Sequence, residues 1–419
     1  MIAIVDINNC FASIEQVFAP KSRNKPCIVL SNNDGACVAR SAEAKALGIK
    51  MAAPVFELKE IIEREGVIVY SSNYVLYGDM SARVMNTISF IAPAPLEVYS
   101  IDECFFSMDG CSQDQCLQIA SDIRRTVKQN TGLTVSIGIA PTKVLAKAAN
   151  KLAKKLPAGI RMLDGYLNIA KALMDFPVED LWGIGHRYAE KLKRLGVDTA
   201  LKLRCLPESW IKQNMTVLGL RLHKELHGIS CIPIESLTPD RKAIGSAKSF
   251  GKPVETFSEM HEALSQYVAT CAVKLRNQKN CTSLISVFVQ TNFFNKKDKQ
   301  YSNFRTITIT PATNLTSELI KHASFLLRKI FKPGYKYKRV GVLLTGFTPD
   351  HVRQGHLFDT KDRAKLSAAQ KAIDAINKRH SRDQVRFASM GFERRWQMKQ
   401  EKLSKRFTTQ IEEILTVYV

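Results

Sequence analysis

The 419-residue chain has no run of about 18 apolar residues, and its hydrophobic stretches are short and broken by charges. A membrane-spanning helix is therefore excluded. The opening Met-Ile-Ala-Ile-Val-Asp carries no basic segment and reaches an acid by position 6, so it reads as a strand and not as an export leader. Ten cysteines are present, but none forms a Cys-x-x-Cys pair and none stands at zinc spacing from a histidine. They are expected to be reduced thiols of a cytoplasmic protein, mostly small core residues; Cys111 and Cys116, in a loop without companion ligands, are expected to have no redox role. His223 and His227 lie one helical turn apart, but Lys224 stands where a zinc-protease motif needs Glu, so metal binding is not expected there. No low-complexity tract or fixed-period repeat occurs. Acids are scarce, with 39 Asp and Glu against 61 Lys and Arg and a net charge of +22. A chain this basic is expected to meet a polyanion, most often nucleic acid, a merely basic enzyme being the other reading. The excess is uneven: residues 321–419 hold 22 Lys and Arg against 9 Asp and Glu.

Apolar residues at 45% and charged residues at 24% are globular values and exclude wholesale disorder. The length suggests about two to four domains. Residues 1–155 alternate strands and helices, in an α+β or α/β manner. A buried-type strand ends at Asp6, and a helix follows with Phe11, Ile14 and Val17 at helical spacing. Short strands are expected at 26–30, 96–101, 104–108 and 133–140, and helices at 41–47, 74–90, 115–130 and 142–155. Residues 166–228 read as short helices. After a loop at about 230–243 comes a β-α-β-β-α-β series over 244–347, the split ferredoxin-like order. Beyond Pro349 the pattern is a basic tail with a helical stretch at 362–379.

The residues with most chemical content are three acids at strand ends: Asp6, and the adjacent Asp102 and Glu103. A lone buried carboxylate is costly, and converging carboxylates repel. A hard divalent cation such as Mg²⁺ resolves both problems and suits phosphoryl transfer. Each acid alone reads more readily as a turn residue or cap, but turns rarely need two adjacent acids. Lys143, Lys147 and Lys154 share one face of the 142–155 helix, which suits a triphosphate or simply a solvated face. The stretch around Gly183-Ile-Gly185 reads as helix, tight turn and helix, with Lys191, Lys193 and Arg194 following. Such a hairpin can offer backbone N–H groups to a duplex phosphate, or be an ordinary turn.

Taken together, these residues resemble the Y-family DNA polymerases, most closely the UmuC branch, which includes the catalytic subunit of DNA polymerase V and its mobile-element relatives. The resemblance covers essentially the whole chain. It is carried by Asp6-Ile-Asn-Asn-Cys-Phe-Ala-Ser13, Leu30-Ser-Asn-Asn-Asp-Gly35, the 39–48 segment, Tyr99-Ser-Ile-Asp-Glu103, Ala146-Lys-Ala-Ala-Asn150 and Trp182-Gly-Ile-Gly185. It implies an α+β multidomain right-hand architecture: palm at 1–20 and 75–165, fingers at 21–74, helical thumb with the hairpin at 166–235, β-α-β-β-α-β little finger at 243–348, and a clamp-binding loop with a basic C-terminal segment at 349–419. It implies that Asp6, Asp102 and Glu103 hold two Mg²⁺. Phe11 would be the steric gate that leaves no room for a 2′-hydroxyl, and Arg40, Lys45 and Lys154 would bind the nucleotide. Ala42 and Cys10 depart from the pattern, where Tyr and an aromatic residue are usual, and Arg40 is expected to compensate. Gly183, Gly185, Lys191, Lys248 and Lys252 would contact DNA.

Gln354, Leu357 and Phe358 resemble a motif that binds the sliding clamp. The segments 395–399 and 403–409 resemble the region that meets the processed UmuD-type dimer and RecA; a disordered basic arm holding DNA is the alternative. The implied activity is error-prone translesion synthesis in SOS mutagenesis and DNA repair: template-directed addition of a dNTP to a primer 3′-hydroxyl, in a bacterial cytoplasm at the nucleoid. A non-catalytic DNA-binding scaffold and a nucleotidyl cyclase are the rivals. The cyclase would explain the acids but neither the hairpin nor the basic C-terminal quarter.

Overall fold

The computed structural model describes residues 1–235, 239–352, 359–380 and 383–416. The chain forms two compact units, Met1–Thr238 with Glu401–Val419, and Pro239–Gln400.

The first unit opens with β1 (Ile2–Ile7) and α1 (Cys10–Phe18). A small three-stranded sheet of β2 (Cys27–Leu30), β3 (Cys37–Arg40) and, beyond α2 (Ala42–Ala46) and α3 (Lys59–Arg64), β4 (Ile68–Ser71) follows in the order β3-β2-β4. Next come α4 (Tyr74–Ser89), β5 (Glu97–Val98), β6 (Glu103–Ser107), α5 (Gln113–Thr131), β7 (Val135–Ala140), α6 (Lys143–Ala153) and β8 (Ile160–Met162). The main sheet has the order β5-β6-β1-β7-β8, so β1 is central, antiparallel to both β6 and β7. Five short helices close this part: α7 (Tyr166–Met174), α8 (His186–Arg194), α9 (Ala200–Arg204), α10 (Glu208–Asn214) and α11 (Val217–Leu226).

Strand alternation divides the main sheet into two cores. Ala3, Val5 and Ile7 face one side, with Cys104, Phe106 and buried residues of α4 and α5. Ile2, Ile4 and Phe105 face the other, with α6 and α7–α11. Asp6 continues the series 2, 4, 6, and Glu103 lies two residues before Phe105. Both acids therefore stand on the side covered by α6. Helix α6 comes unusually close, because a Cβ at Gly138 would sit 2.2 Å from the Ala146 carbonyl oxygen and 2.3 Å from the Asn150 nitrogen. The Asn150 amide donates to the Ser136 carbonyl at 2.7 Å. At the other end of the contact, the buried carboxylate of Glu225 on α11 accepts from the Val144 N–H at 3.1 Å and from the Cys231 and Ile232 N–H groups, tying the N-terminus of α6 to the short-helix region.

The second unit comprises β9 (Ile244–Val254), α12 (Phe257–Asn277), β10 (Asn280–Thr291), β11 (Ser302–Thr313), α13 (Thr316–Ile330), β12 (Tyr337–Pro349) and α14 (Arg363–His380), with sheet order β11-β10-β12-β9. The β-α-β-β-α-β series thus stands in the order read from the sequence. Two expectations change. Residues 96–101 give only the two-residue β5, because Ser100 turns back to bind Asp102. The basic tail, read as one segment, is divided between the units. Described residues up to Gln400 pack on the second, where Trp396 is buried against Tyr267 with ring centroids 5.7 Å apart, while described residues from Glu401 pack on the first. No described helix is long and apolar enough to cross a membrane.

Gly138→Val should destabilise the first unit by about 3 kcal/mol or more, since backbone atoms of α6 would have to move. Thermal or urea unfolding of the full chain checks this; an unchanged transition would contradict the close approach.

Candidate active site

Asp6 and Glu103 are direct partners across the β1–β6 ladder, and Asp102 precedes Glu103 with its carbonyl accepting from the Ile7 N–H at 2.8 Å. The three acids singled out in the sequence are therefore brought together. Each already has a partner. Lys154 Nζ lies 2.7 Å from Asp6 Oδ2, Lys147 Nζ lies 2.6 Å from Glu103 Oε2, and the Ser100 hydroxyl donates to Asp102 Oδ1 at 2.5 Å. Burial pushes the Asp6 carboxyl up to about 6 against the pull of Lys154, and the charges of Glu103 and Asp102 push in the same direction as burial. Among the described residues, no group of three or more His, Cys, Asp or Glu side chains stands in a metal-holding arrangement. The donor set nevertheless fits a divalent cation. It consists of hard oxygens at the ends of adjacent strands, where burial, with the neighbouring acids adding to it, raises the Asp6 carboxyl, and lysine ammonium groups supply positive charge.

Helix α6 supplies that charge as a ladder. Lys143 pairs with Glu97 at 2.5 Å, Lys147 with Glu103, Lys151 with Asp180, and Lys154, at the helix end, with Asp6. Lys147 also sits over the rings of Tyr99 and Trp182, at 4.8 and 5.7 Å from their centroids, and Trp182 Nε1 donates to the Tyr99 hydroxyl at 3.3 Å.

A cavity of about 590 Å³ opens beside the acids, lined among others by Asp6, Asp102, Phe11, Arg40, Lys45 and Lys154. It thus gathers, from separate sequence segments, all four residues expected to bind nucleotide. Glu103 does not line it. The Arg40 guanidinium donates to the Ile49 carbonyl at 2.6 Å, leaving its Nε buried without a hydrogen-bond partner. Lys45 Nζ meets Asn9 Oδ1 at 2.5 Å; burial and the nearby charges of Arg40 and Lys154 draw its ammonium below the ordinary lysine range. Phe11 stacks on Tyr77, with centroids 4.4 Å apart and planes at 16°, and meets Tyr74 edge-on at 6.1 Å. Ala42 and Cys10 line the same cavity, and burial pushes the Cys10 thiol up to about 12, so it stays protonated.

Sequence reasoning did not single out Asn9 or Tyr77. Asn9 precedes α1 in the left-handed conformation at φ 51°, which asparagine tolerates well, and its amide oxygen meets Lys45 instead of capping the helix. The Asn-Asn pair after a strand-end acid was the available signal. Nothing local marks Tyr77, which is far from Phe11 along the chain.

The remaining residues lie apart from the cavity lining. Gly183 has φ 99°, and Gly185 is the N-cap of α8. Lys191 reaches across to α10, donating to the Asn214 carbonyl at 2.9 Å. Lys248 and Lys252 are exposed on β9, an edge strand of the second unit. Gln354, Leu357 and Phe358 lie outside the described residues. His223 and His227 are occupied structurally, since their Nε2 atoms lie 3.1 and 2.9 Å from the Arg204 carbonyl oxygen, at the C-terminus of α9.

The model of the impB/mucB/samB family matches residues 5–151, that of its C-terminal domain 241–357, and that of its HHH motif 168–197. ImpB of Salmonella typhimurium is 39% identical over 99% of this chain and 99% of its own length. The chain belongs to the impB/mucB/samB family. UmuC of Salmonella typhimurium strain LT2 is likewise 39% identical, over the full length of both chains, which puts this member in the UmuC branch of the Y-family. A domain of unknown function, DUF4113, matches residues 368–417. Among solved structures, a Y-family DNA polymerase chimera aligns with a TM-score of 0.66 at 22% identity, covering 83% of this chain and 99% of its own. The family member thus has the right-hand polymerase fold of mixed α and β structure.

Chelator treatment should leave the thermal unfolding of the chain unchanged, whereas His223→Ala should cost about 1–2 kcal/mol through loss of its hydrogen bond to the Leu206 carbonyl. Calorimetry on the full chain distinguishes the two; a large loss with chelator would restore a metal role for the histidine pair.

Proposed function

We propose that Asp6, Asp102 and Glu103 are the catalytic acids of this chain and that the adjoining cavity receives the triphosphate of an incoming deoxynucleotide. The chain is a DNA-directed DNA polymerase of the translesion class, acting in SOS mutagenesis, as its full-length likeness to UmuC and MucB proteins and its polymerase fold support. The observation that carries the site assignment is the meeting of Asp6, Asp102, Phe11, Arg40, Lys45 and Lys154 in one cavity.

In the reaction, the primer 3′-hydroxyl attacks the α-phosphorus of a dNTP, and pyrophosphate leaves with the α–β bridging oxygen. Asp6, Asp102 and Glu103 would hold divalent cations, which we take to be two Mg²⁺; when bound these lower the pKa of the attacking hydroxyl and neutralise the departing pyrophosphate. Lys45, Lys154 and Arg40 present positive charge to the β- and γ-phosphates. Lys154 is free to turn to the phosphates once the Asp6 carboxylate has another cation, because both compete for the same oxygens. Phe11, braced by Tyr77 and Tyr74, lies under the sugar and excludes a 2′-hydroxyl by bulk.

DNA is held without regard to sequence by the Gly183–Gly185 turn with the N-terminus of α8, by Lys191 once released from Asn214, and by Lys248 and Lys252; such contacts weaken with salt. Gln354, Leu357 and Phe358 reach the sliding clamp. The C-terminal segment meets the processed UmuD-type dimer and RecA through its exposed residues, since Trp396 is committed to a core.

Asp102→Ala and Glu103→Ala should each reduce primer extension by about a thousandfold or more while DNA binding persists. Gel-based extension with Mg²⁺, beside a binding assay, checks this, and near-normal extension by both variants would end the catalytic assignment. Phe11→Ala should raise ribonucleotide incorporation at least about tenfold, read from kcat/KM for matched dNTP and rNTP pairs.

A further inference from the structure

The segment that follows Gln400 is built into the first unit. The Ser71 N–H donates to the Lys402 carbonyl at 2.9 Å, the Lys402 N–H donates to the Ser71 hydroxyl at 3.0 Å, and Leu403 bridges Ser71 in parallel fashion, extending the edge of β4. Phe407 stacks on Phe18 at the end of α1, with ring centroids 4.9 Å apart and planes at 8°. The Asn73 side chain, which caps α4 by accepting from the Leu76 N–H, donates to the Ser404 carbonyl at 3.0 Å and to the Lys405 carbonyl at 3.2 Å. The segment therefore grips α1, which carries the cavity-lining Phe11, and α4, whose Tyr74 and Tyr77 pack against the Phe11 ring.

A chain of direct contacts runs from the segment to Phe11. The Ser404 hydroxyl donates to Glu15 Oε1 at 2.9 Å, and the Tyr77 hydroxyl donates to the same oxygen at 2.6 Å. The Tyr77 ring stacks on Phe11. Glu15 is 1% exposed, and these two hydroxyls are the side-chain donors to that oxygen. A buried carboxylate served by neutral donors depends strongly on each of them. Burial pushes the Glu15 carboxyl above its ordinary range, and both hydroxyls pull it back. Loss of the Ser404 hydroxyl would leave Tyr77 as the remaining side-chain donor to Oε1.

We propose that Ser404, on the C-terminal segment, is a positioning residue for sugar selection, acting through Glu15 and Tyr77 to set the Phe11 ring in the nucleotide cavity. The proposal rests on the reading of Phe11 as the sugar gate. It gives the segment after Gln400 a role inside the polymerase unit, separate from any partner it meets. A partner that drew this segment away would loosen the gate.

The test is single-nucleotide primer extension by the full-length chain, with kcat and KM measured separately for a dNTP and its matching rNTP. Ser404→Ala should lower discrimination against the ribonucleotide about fivefold, the leverage of one hydrogen bond, chiefly through KM for the rNTP. Tyr77→Phe, which keeps the ring and loses the hydroxyl, should do the same, and the double variant should do no more than the stronger single one, because both act on Glu15. Ser404→Thr, which keeps the hydroxyl, should restore discrimination. Phe11→Ala serves as the control. If it relaxes discrimination while Ser404→Ala and Tyr77→Phe leave it unchanged, the gate stands and the positioning role is overturned. If Phe11→Ala itself has no effect, the gate reading fails and the proposal falls with it. A parallel loss of dNTP and rNTP turnover in Ser404→Ala, with the ratio intact, would mark a merely structural contact and also overturn it.

Discussion

A carboxylate on a sheet face that a helix covers has to meet positive charge, and this requirement organises the first unit. Asp6 and Glu103 sit opposite each other on β1 and β6, on the side closed by α6. The helix brings a lysine to each of them, and further lysines to Glu97 and Asp180. The arrangement neutralises the acids without satisfying them fully, since burial still holds Asp6 at about 6. On the proposed reading, a bound divalent cation would release ammonium groups that already stand beside the cavity, so that charge compensation in the folded protein and charge supply to the substrate would draw on the same side chains.

The supporting structure serves to keep α6 and the acids in contact. Gly138 lets the helix backbone approach β7, Asn150 fastens it to Ser136, and Glu225 anchors its first turn to α11. The Phe11 ring that lines the cavity is held by packing between α1 and α4. That packing is bound from outside by residues near the far end of the chain, through Phe407, Ser404 and Lys405. The catalytic surroundings are therefore assembled from both ends of the chain.

Several residues show why the sequence was informative in some places and silent in others. The run Ile2–Asp6 and the pair Asp102-Glu103 were legible because a charged residue at the end of an apolar strand violates local pattern, and such violations are rare outside functional sites. The β-α-β-β-α-β series was legible because its strands and helices have distinct periods. Lys191 and the histidine pair gave a weaker signal: their partners, Asn214 and Arg204, lie on neighbouring helices whose packing no local pattern reveals. Trp396 read as part of a basic arm, since one aromatic among charges carries no periodicity, yet it completes the core of the second unit.

Local sequence by itself determined most of the longer strands and helices, that three acids stand at strand ends, and that one helix carries a face of lysines. These follow from side-chain alternation and helical spacing, which act over a few residues. Tertiary structure alone decided which lysine answers which acid, that Arg40 and Lys45 close the same cavity as Asp6, and that the last segment braces the helix bearing Phe11. Those outcomes depend on strand order and on the approach of helices distant in sequence, and the energy that selects them, burial of charge against its partner, exists only once the chain has folded.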